Sequence, residues 1–119
     1  DEYFMAMALL TAERSKDPVT QVCLYKLVYR NENFKVGAVI VDKQNVIAGV
    51  GYNGMPRGCH DDKMPWSKDM ENPLENKYLF VVHAEINAIL NRSILRDECT
   101  MYVTLFPCSE CAKAVIQVS

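Results

Sequence analysis

Four side chains in two short blocks could do chemistry together: His83 and Glu85 in His83-Ala84-Glu85, and Cys108 and Cys111 in Pro107-Cys108-Ser109-Glu110-Cys111. One imidazole and two thiolates suit tetrahedral Zn²⁺ and leave its fourth position open for water, the arrangement of a catalytic site rather than a closed structural one. Glu85 is not needed as a ligand. A carboxylate beside a metal-activated water can take a proton from it and pass it on, which makes metal-assisted hydrolysis the chemistry of the set.

The spacing says what must position these groups. His83 and Glu85 lie two residues apart and so do not share a helix face, which makes sense only at a first helical turn, where side chains lean past the helix end. Cys108 and Cys111 are i and i+3 at the start of a second helix, so one turn brings both sulfurs to the same side. Two helix starts would then meet at one metal, and the partial positive charge of such an end favours thiolates. Zn²⁺ with two thiolates and a neutral imidazole is formally neutral, a weaker acid than a three-histidine site. It therefore needs a base, and Glu85 is the candidate.

The rest of the chain supplies the scaffold. Residues Glu2 to Arg14 have an amphipathic helical spacing, with Tyr3, Met7 and Leu10 on one side and Phe4, Ala8 and Thr11 beside them. Ser15-Lys16-Asp17-Pro18 breaks that helix, and Arg14 and Lys16 at the break could hold a phosphate, although taken alone solvated surface charge is the better explanation. Cys23 to Arg30 alternates as a strand would. Val36 to Val41 is continuously apolar and β-branched, which predicts a strand covered on both faces. Asp42 to Asn45 reads as a turn. Val46 to Tyr52 reads as a second strand, with Gly49 and Gly51 permitting a bulge or the close approach of another group.

Asn53 to Tyr78 is a long irregular segment containing Trp66, and long loops in compact domains are commonly functional. Within it, Asn53-Gly54 also fits a plain tight turn. His83 to Arg92 predicts a helix with Ile86, Ile89 and Leu90 spaced for burial. Met101 to Leu105 predicts a third strand, and Pro107 is placed to open the last helix. Strands and helices alternate, so the fold class is α/β.

Composition limits the function further. The 119 residues make one domain, residues 1–119, with half of them apolar, a quarter charged and a net charge of −2. That balance lacks the basic excess of nucleic-acid binders, so no polymer partner is expected. No apolar run approaches a membrane span. Five cysteines are an odd number and two belong to the Cys-x-x-Cys block, which points to reduced thiols and a cytoplasmic or nuclear setting. Cys59-His60 is too small to be a site alone, and Cys23 and Cys99 read as small buried residues. A structural zinc knuckle is the plain alternative for Cys108 and Cys111. The His-Ala-Glu block and the proline before the first cysteine favour the catalytic reading, because His-x-Glu followed by Pro-Cys-x-x-Cys is the pattern of zinc nucleobase deaminases.

Over most of its length the chain closely resembles the deoxycytidylate deaminase branch of the cytidine deaminase superfamily. The resemblance lies in Tyr3-Phe4-Met5, Ala12-Glu13-Arg14-Ser15-Lys16-Asp17-Pro18, Gly51-Tyr52-Asn53-Gly54-Met55-Pro56, His83-Ala84-Glu85-x-Asn87-Ala88-Ile89 and Tyr102-Val103-Thr104-Leu105-Phe106-Pro107-Cys108-x-x-Cys111-Ala112-Lys113. It implies a three-layer α/β/α sandwich around a mixed sheet with strand order 2-1-3-4-5. It also implies hydrolysis of dCMP to dUMP and ammonia, with Zn²⁺ on His83, Cys108 and Cys111, proton transfer by Glu85, and substrate contacts from Asn53, Arg14, Lys16 and Ala84. The family is typically a homohexamer, activated by dCTP and inhibited by dTTP at a site using Gly51, Tyr52, Asn53 and Gly54.

Two departures from the family pattern stand out. Cys23 to Lys35 intervenes between Val22 and Val36, as an insertion before the first family strand. The chain also stops within the helix that begins at Cys108, ahead of the last two family strands, which would leave the third strand as an open edge. A catalytically inactive subunit that partners intact deaminases, and a deaminase of another cytosine nucleoside or nucleotide, are the alternative readings.

Overall fold

The structure, a computed structural model, describes residues 1–17, 35–67, 71–93 and 98–118. Its elements run α1 (Glu2–Ala12), β1 (Gly37–Val41), β2 (Ile47–Tyr52), α2 (Ala84–Leu90), β3 (Thr100–Val103) and α3 (Ser109–Gln117), with three short 3₁₀ turns between β2 and α2. The strand expected over Cys23 to Arg30 and nearly all of the expected insertion lie outside the described residues.

The sheet has the order β2-β1-β3, the first three places of the order implied by the resemblance. β1 pairs antiparallel with both neighbours, so among the described residues the sheet is wholly antiparallel and not mixed. Every residue of β1 is buried, as its continuous apolar run predicts for a central strand. Side chains alternate across it. Val39 and Val41 join Phe4 and Ala8 of α1 on one face, while Ala38 and Ile40 join Ala48, Ala84 and Ala88 on the other. The result is three layers, with α1 on one side of the sheet and α2 on the other.

The turn after β1 is built by one carboxylate: Asp42 Oδ1 accepts the amides of Gln44 and Val46, each at 2.9 Å. Asn45 closes it at φ 62°, a conformation that asparagine tolerates. Beyond the turn, the register slips between Ile40 and Val41, so that Ala48 bulges from β2.

Three glycines set the layer spacing. A Cβ at Gly37 would lie 2.0 Å from the Ala8 carbonyl oxygen. One at Gly51 would lie 2.2 Å from both the Ala84 carbonyl oxygen and the Ala88 amide nitrogen, and one at Gly49 would lie 2.5 Å from the Ala88 carbonyl oxygen. Close approach, anticipated for Gly49 and Gly51, is thus by the backbone of α2. Polar side chains of α2 and its C-terminal extension then satisfy the outer edge of β2. The carbonyls of Tyr52, Val50 and Ala48 accept from Asn87 Nδ2 at 2.8 Å, Asn91 Nδ2 at 3.2 Å and the Ser93 amide at 2.9 Å. Asn87 and Asn91 meet alternate carbonyls at a helical spacing of four and Ser93 follows two residues on, which blunts an edge that could otherwise pair with another chain.

The structure decides which faces of the helices are buried, and it corrects the expected burial of Leu90 and the expected helix start at Pro107. α1 buries Phe4, Ala8, Thr11 and Ala12, whereas Tyr3 and Leu10 are about two-thirds exposed, at 65% and 66%. Ala8 and Ala12 face Gly37, where the helix backbone comes too close for a leucine. In α2 the buried residues are Ala84, Glu85 and Ala88, and Leu90 is exposed, for the same reason at Gly49 and Gly51. Pro107 does not open the last helix, which starts at Ser109 with Cys108 as its N-cap. Among the described residues no helix is long and apolar enough to cross a membrane.

The close contact at Gly51 gives a prediction. Gly51→Ala should destabilise the fold by about 1–3 kcal/mol, the range for overpacking against unyielding backbone. Gly54→Ala, whose Cβ would meet only the Tyr52 ring at 3.4 Å, should change it by no more than about 0.5 kcal/mol. Urea midpoints of the two variants check the contrast.

Candidate functional site

His83 is the N-cap of α2 and Cys108 the N-cap of α3, both in extended backbone conformation. Cys111 lies one turn into α3 and is 2% exposed. The two helix starts meet as the spacing predicts: His83 Nδ1 is 3.5 Å from Cys108 Sγ and 3.3 Å from Cys111 Sγ. All three donor atoms lie within 4.8 Å of one another. Tetrahedral zinc with metal–sulfur bonds of about 2.3 Å and a metal–nitrogen bond of about 2.0–2.1 Å sets nitrogen and sulfur about 3.5 Å apart. The donor set therefore fits zinc both in chemistry and in spacing.

Neither cap residue's side chain accepts a backbone amide of its own helix. Histidine and cysteine replace the serine, threonine, aspartate or asparagine that a helix start prefers, so both helices forgo a stabilising cap and keep a metal donor free. Glu85 sits in the first turn of α2, 4% exposed, beside Cys111. Burial, then hydrogen bonding to Cys108 and the nearby Glu85 carboxylate, push the Cys111 thiol up to about 12. Without metal this thiol stays protonated at neutral pH, and metal uptake must expel its proton.

A second group of residues gathers at the end of β2, which Gly54 and Val82 join to the residue before His83. Asn53 is buried, its backbone amide donates to the Val36 carbonyl at 3.1 Å, and its Oδ1 accepts from the Val36 amide at 2.9 Å. The Ser15 hydroxyl donates to the Asn53 carbonyl at 2.8 Å, which brings the turn after α1 to the end of β2. There the Arg14 guanidinium lies over the Tyr52 ring, 5.2 Å from its centroid. Lys16, exposed, pairs with Asp61 at 3.2 Å, and that carboxylate raises its pKa through a hydrogen bond and charge. Gly54 exchanges two backbone hydrogen bonds with Val82, the residue before His83. Arg14, Tyr52 and Asn53, proposed from separate motifs, thus converge on one side of the fold.

Two sequence expectations take a different form in the structure. The Ala84 side chain is fully buried against the sheet, so any contact it makes with a ligand is a backbone one. Gly51 is covered by α2. Cys59 and His60 are exposed and do not join the cluster, and Cys99 packs beside the α2 face of the sheet.

Sequence reasoning missed Thr104 and Asn87. Thr104 Oγ1 accepts from the Gly37 amide at 3.1 Å, and its own amide returns a bond to the Gly37 carbonyl at 3.1 Å, fixing the segment that leads to Cys108. For Asn87 the signal was a polar residue among the apolar residues of α2. For Thr104 nothing local distinguished it from an ordinary strand threonine.

The family model for the cytidine and deoxycytidylate deaminase zinc-binding region matches residues 22–119. The chain belongs to the cytidine and deoxycytidylate deaminase family. Among its relatives, the deoxycytidylate deaminase of Homo sapiens is 52% identical over 117 residues, covering 98% of this chain and 58% of that protein. The probable deoxycytidylate deaminase of Drosophila melanogaster is 53% identical over 124 residues, covering 99% of this chain and 54% of that protein. The chain thus spans a little over half the length of these relatives. The crystal structure of the dCMP deaminase from cyanophage S-TIM5, in complex with dCMP and dUMP, superposes with a TM-score of 0.65 at 26% identity. That match covers 98% of this chain and 73% of the phage chain.

Two outcomes follow for the cluster in this family member. Cys108→Ser should abolish retention of one zinc per chain through a desalting column. It should also make the EDTA-treated chain more stable by about 1 kcal/mol in urea, since serine caps α3. Zinc titration at pH 7.5 in a weakly buffered indicator solution should release at least one proton per metal, from Cys111, and a metal bound without proton release would contradict its position.

Proposed function

We propose that this chain carries the zinc-dependent hydrolytic site of a deoxycytidylate deaminase and converts dCMP to dUMP and ammonia. The observation that carries the reading is the His83, Cys108 and Cys111 triad, with its 3.3 and 3.5 Å contacts and a buried Glu85 beside Cys111. The relatives named for the same reaction support it. His83, Cys108 and Cys111 would hold the metal. A zinc ion bound there supplies the Lewis acidity that activates a water molecule.

In this reading Glu85 takes a proton from that water and delivers it to N3 of the cytosine ring, then passes the second proton to the departing C4 amine. The water oxygen becomes the C4 carbonyl and the amine leaves as ammonia, so Glu85 ends in its starting form. Burial of Glu85 keeps bulk water from competing for those protons.

Substrate selection belongs to the same proposal. The Oδ1 of Asn53 is committed to Val36, which leaves its amide nitrogen to meet the sugar. Arg14 and Lys16 meet the phosphate, and Ala84 contributes through its backbone. Regulation by dCTP and dTTP would use Tyr52, Asn53 and Gly54, which border the Arg14 side, with Gly51 serving the packing of α2. A homo-oligomer and a cytoplasmic setting, where thiolate ligands stay reduced, complete the reading.

The test is ammonia release from dCMP by the zinc-loaded chain, with and without a chelator, set beside cytidine and dCTP. dCMP should be the preferred substrate, and Glu85→Gln should keep its zinc while losing at least about 10²–10⁴-fold in turnover. A folded, zinc-loaded chain that releases no ammonia overturns the proposal.

A further inference from the structure

Lys77 and Asp17 form an ion pair whose side chains are only 5% and 4% exposed, in parts of the chain sixty residues apart. The proposed chemistry uses neither. A buried pair of this kind is no better for stability than two apolar side chains of the same size, because both charges lose their water. What it does supply is a defined separation between two segments.

Those segments are the turn bearing Arg14 and Lys16, and the approach to His83. The pair closes a ring of contacts. The Asp17 amide donates to the Ser15 hydroxyl at 3.4 Å, and that hydroxyl donates to the Asn53 carbonyl at 2.8 Å. The next residue, Gly54, exchanges bonds of 3.1 and 2.8 Å with Val82. Its neighbour Val81 donates its amide to the Lys77 carbonyl at 2.8 Å, and Lys77 returns to Asp17. The Lys77 amide is itself held by the Ser67 carbonyl at 2.9 Å, so the lysine stem starts from a fixed backbone.

Building on the proposed function, we infer that Lys77 and Asp17 are positioning residues for the nucleotide. Their ion pair sets the distance between the Arg14–Lys16 turn, which meets the phosphate, and the helix start carrying His83 and Glu85, which meets the base. The pair touches none of the three donors, whose helices are held by the sheet through Asn87 and Asn91 on β2 and through Thr104 on β1. Loss of the pair should therefore weaken nucleotide binding while zinc stays bound.

The experiment is calorimetric titration of dCMP into the zinc-loaded chain, Lys77→Arg, Lys77→Met and the double variant Asp17→Asn/Lys77→Met, with zinc content measured on each. The double variant leaves no buried charge unpaired and decides the matter if the single variant does not fold. The expected result is a Kd for dCMP raised at least tenfold in the double variant at one zinc per chain, with Lys77→Arg, which keeps the charge, closer to the starting value. An unchanged Kd in the folded double variant overturns the inference. So does loss of zinc together with affinity, or failure of the double variant to fold, either of which makes the pair a general structural element. Failure of the unsubstituted chain to bind dCMP would instead bring down the functional reading before any substitution is made.

Discussion

Backbone contact between α2 and β2 is the constraint on which the rest of this structure depends. Gly49 and Gly51 leave no side chain between strand and helix, and Ala84 and Ala88 present almost none. The helix is drawn in far enough for Asn87 and Asn91 to reach the carbonyls of Tyr52 and Val50. Helix and strand are thereby locked in direction as well as distance, since alternate carbonyls must meet residues four apart. His83 and Glu85 ride on the first turn of that helix, so their positions relative to the end of β2 follow from the contact.

The central strand does the same for the other half of the site. Its entry, Val36 and Gly37, holds Asn53 on one side and Thr104 on the other. These two residues leave the sheet toward the metal cluster from strands that never touch, and the common anchor brings them into one frame. Stability has been given up at a few named places. His83 and Cys108 occupy cap positions without capping, and Glu85 and the Lys77–Asp17 pair are charged groups held out of water. Each is a departure from what folding alone would favour.

Much of the fold was legible because its signals are local. The buried run at β1, the Asp42 turn and the i, i+3 cysteines each depend on a few neighbouring residues. The exposed leucines of α1 and α2 share one cause. Hydrophobic spacing marks large apolar residues as the buried ones, but here glycines on the partner strands require alanine at the contact and push Leu10 and Leu90 outward. The partnership of Thr104 with Gly37 and that of Lys77 with Asp17 join residues sixty or more positions apart, and no periodicity reports them.

By itself, the sequence offered the donor set: the types and spacing of His83, Glu85, Cys108 and Cys111 match a two-thiolate, one-imidazole metal site with a carboxylate beside it, because ligand preference is a property of side chains. The tertiary structure alone decided that the His83 nitrogen and both sulfurs meet within hydrogen-bonding distance, that Glu85 is sealed inside, and that Arg14, Tyr52 and Asn53 share one side of the fold. Distances between remote segments are set by how closely layers pack. In this chain that spacing is governed by three glycines whose effect is visible only once their neighbours are in place.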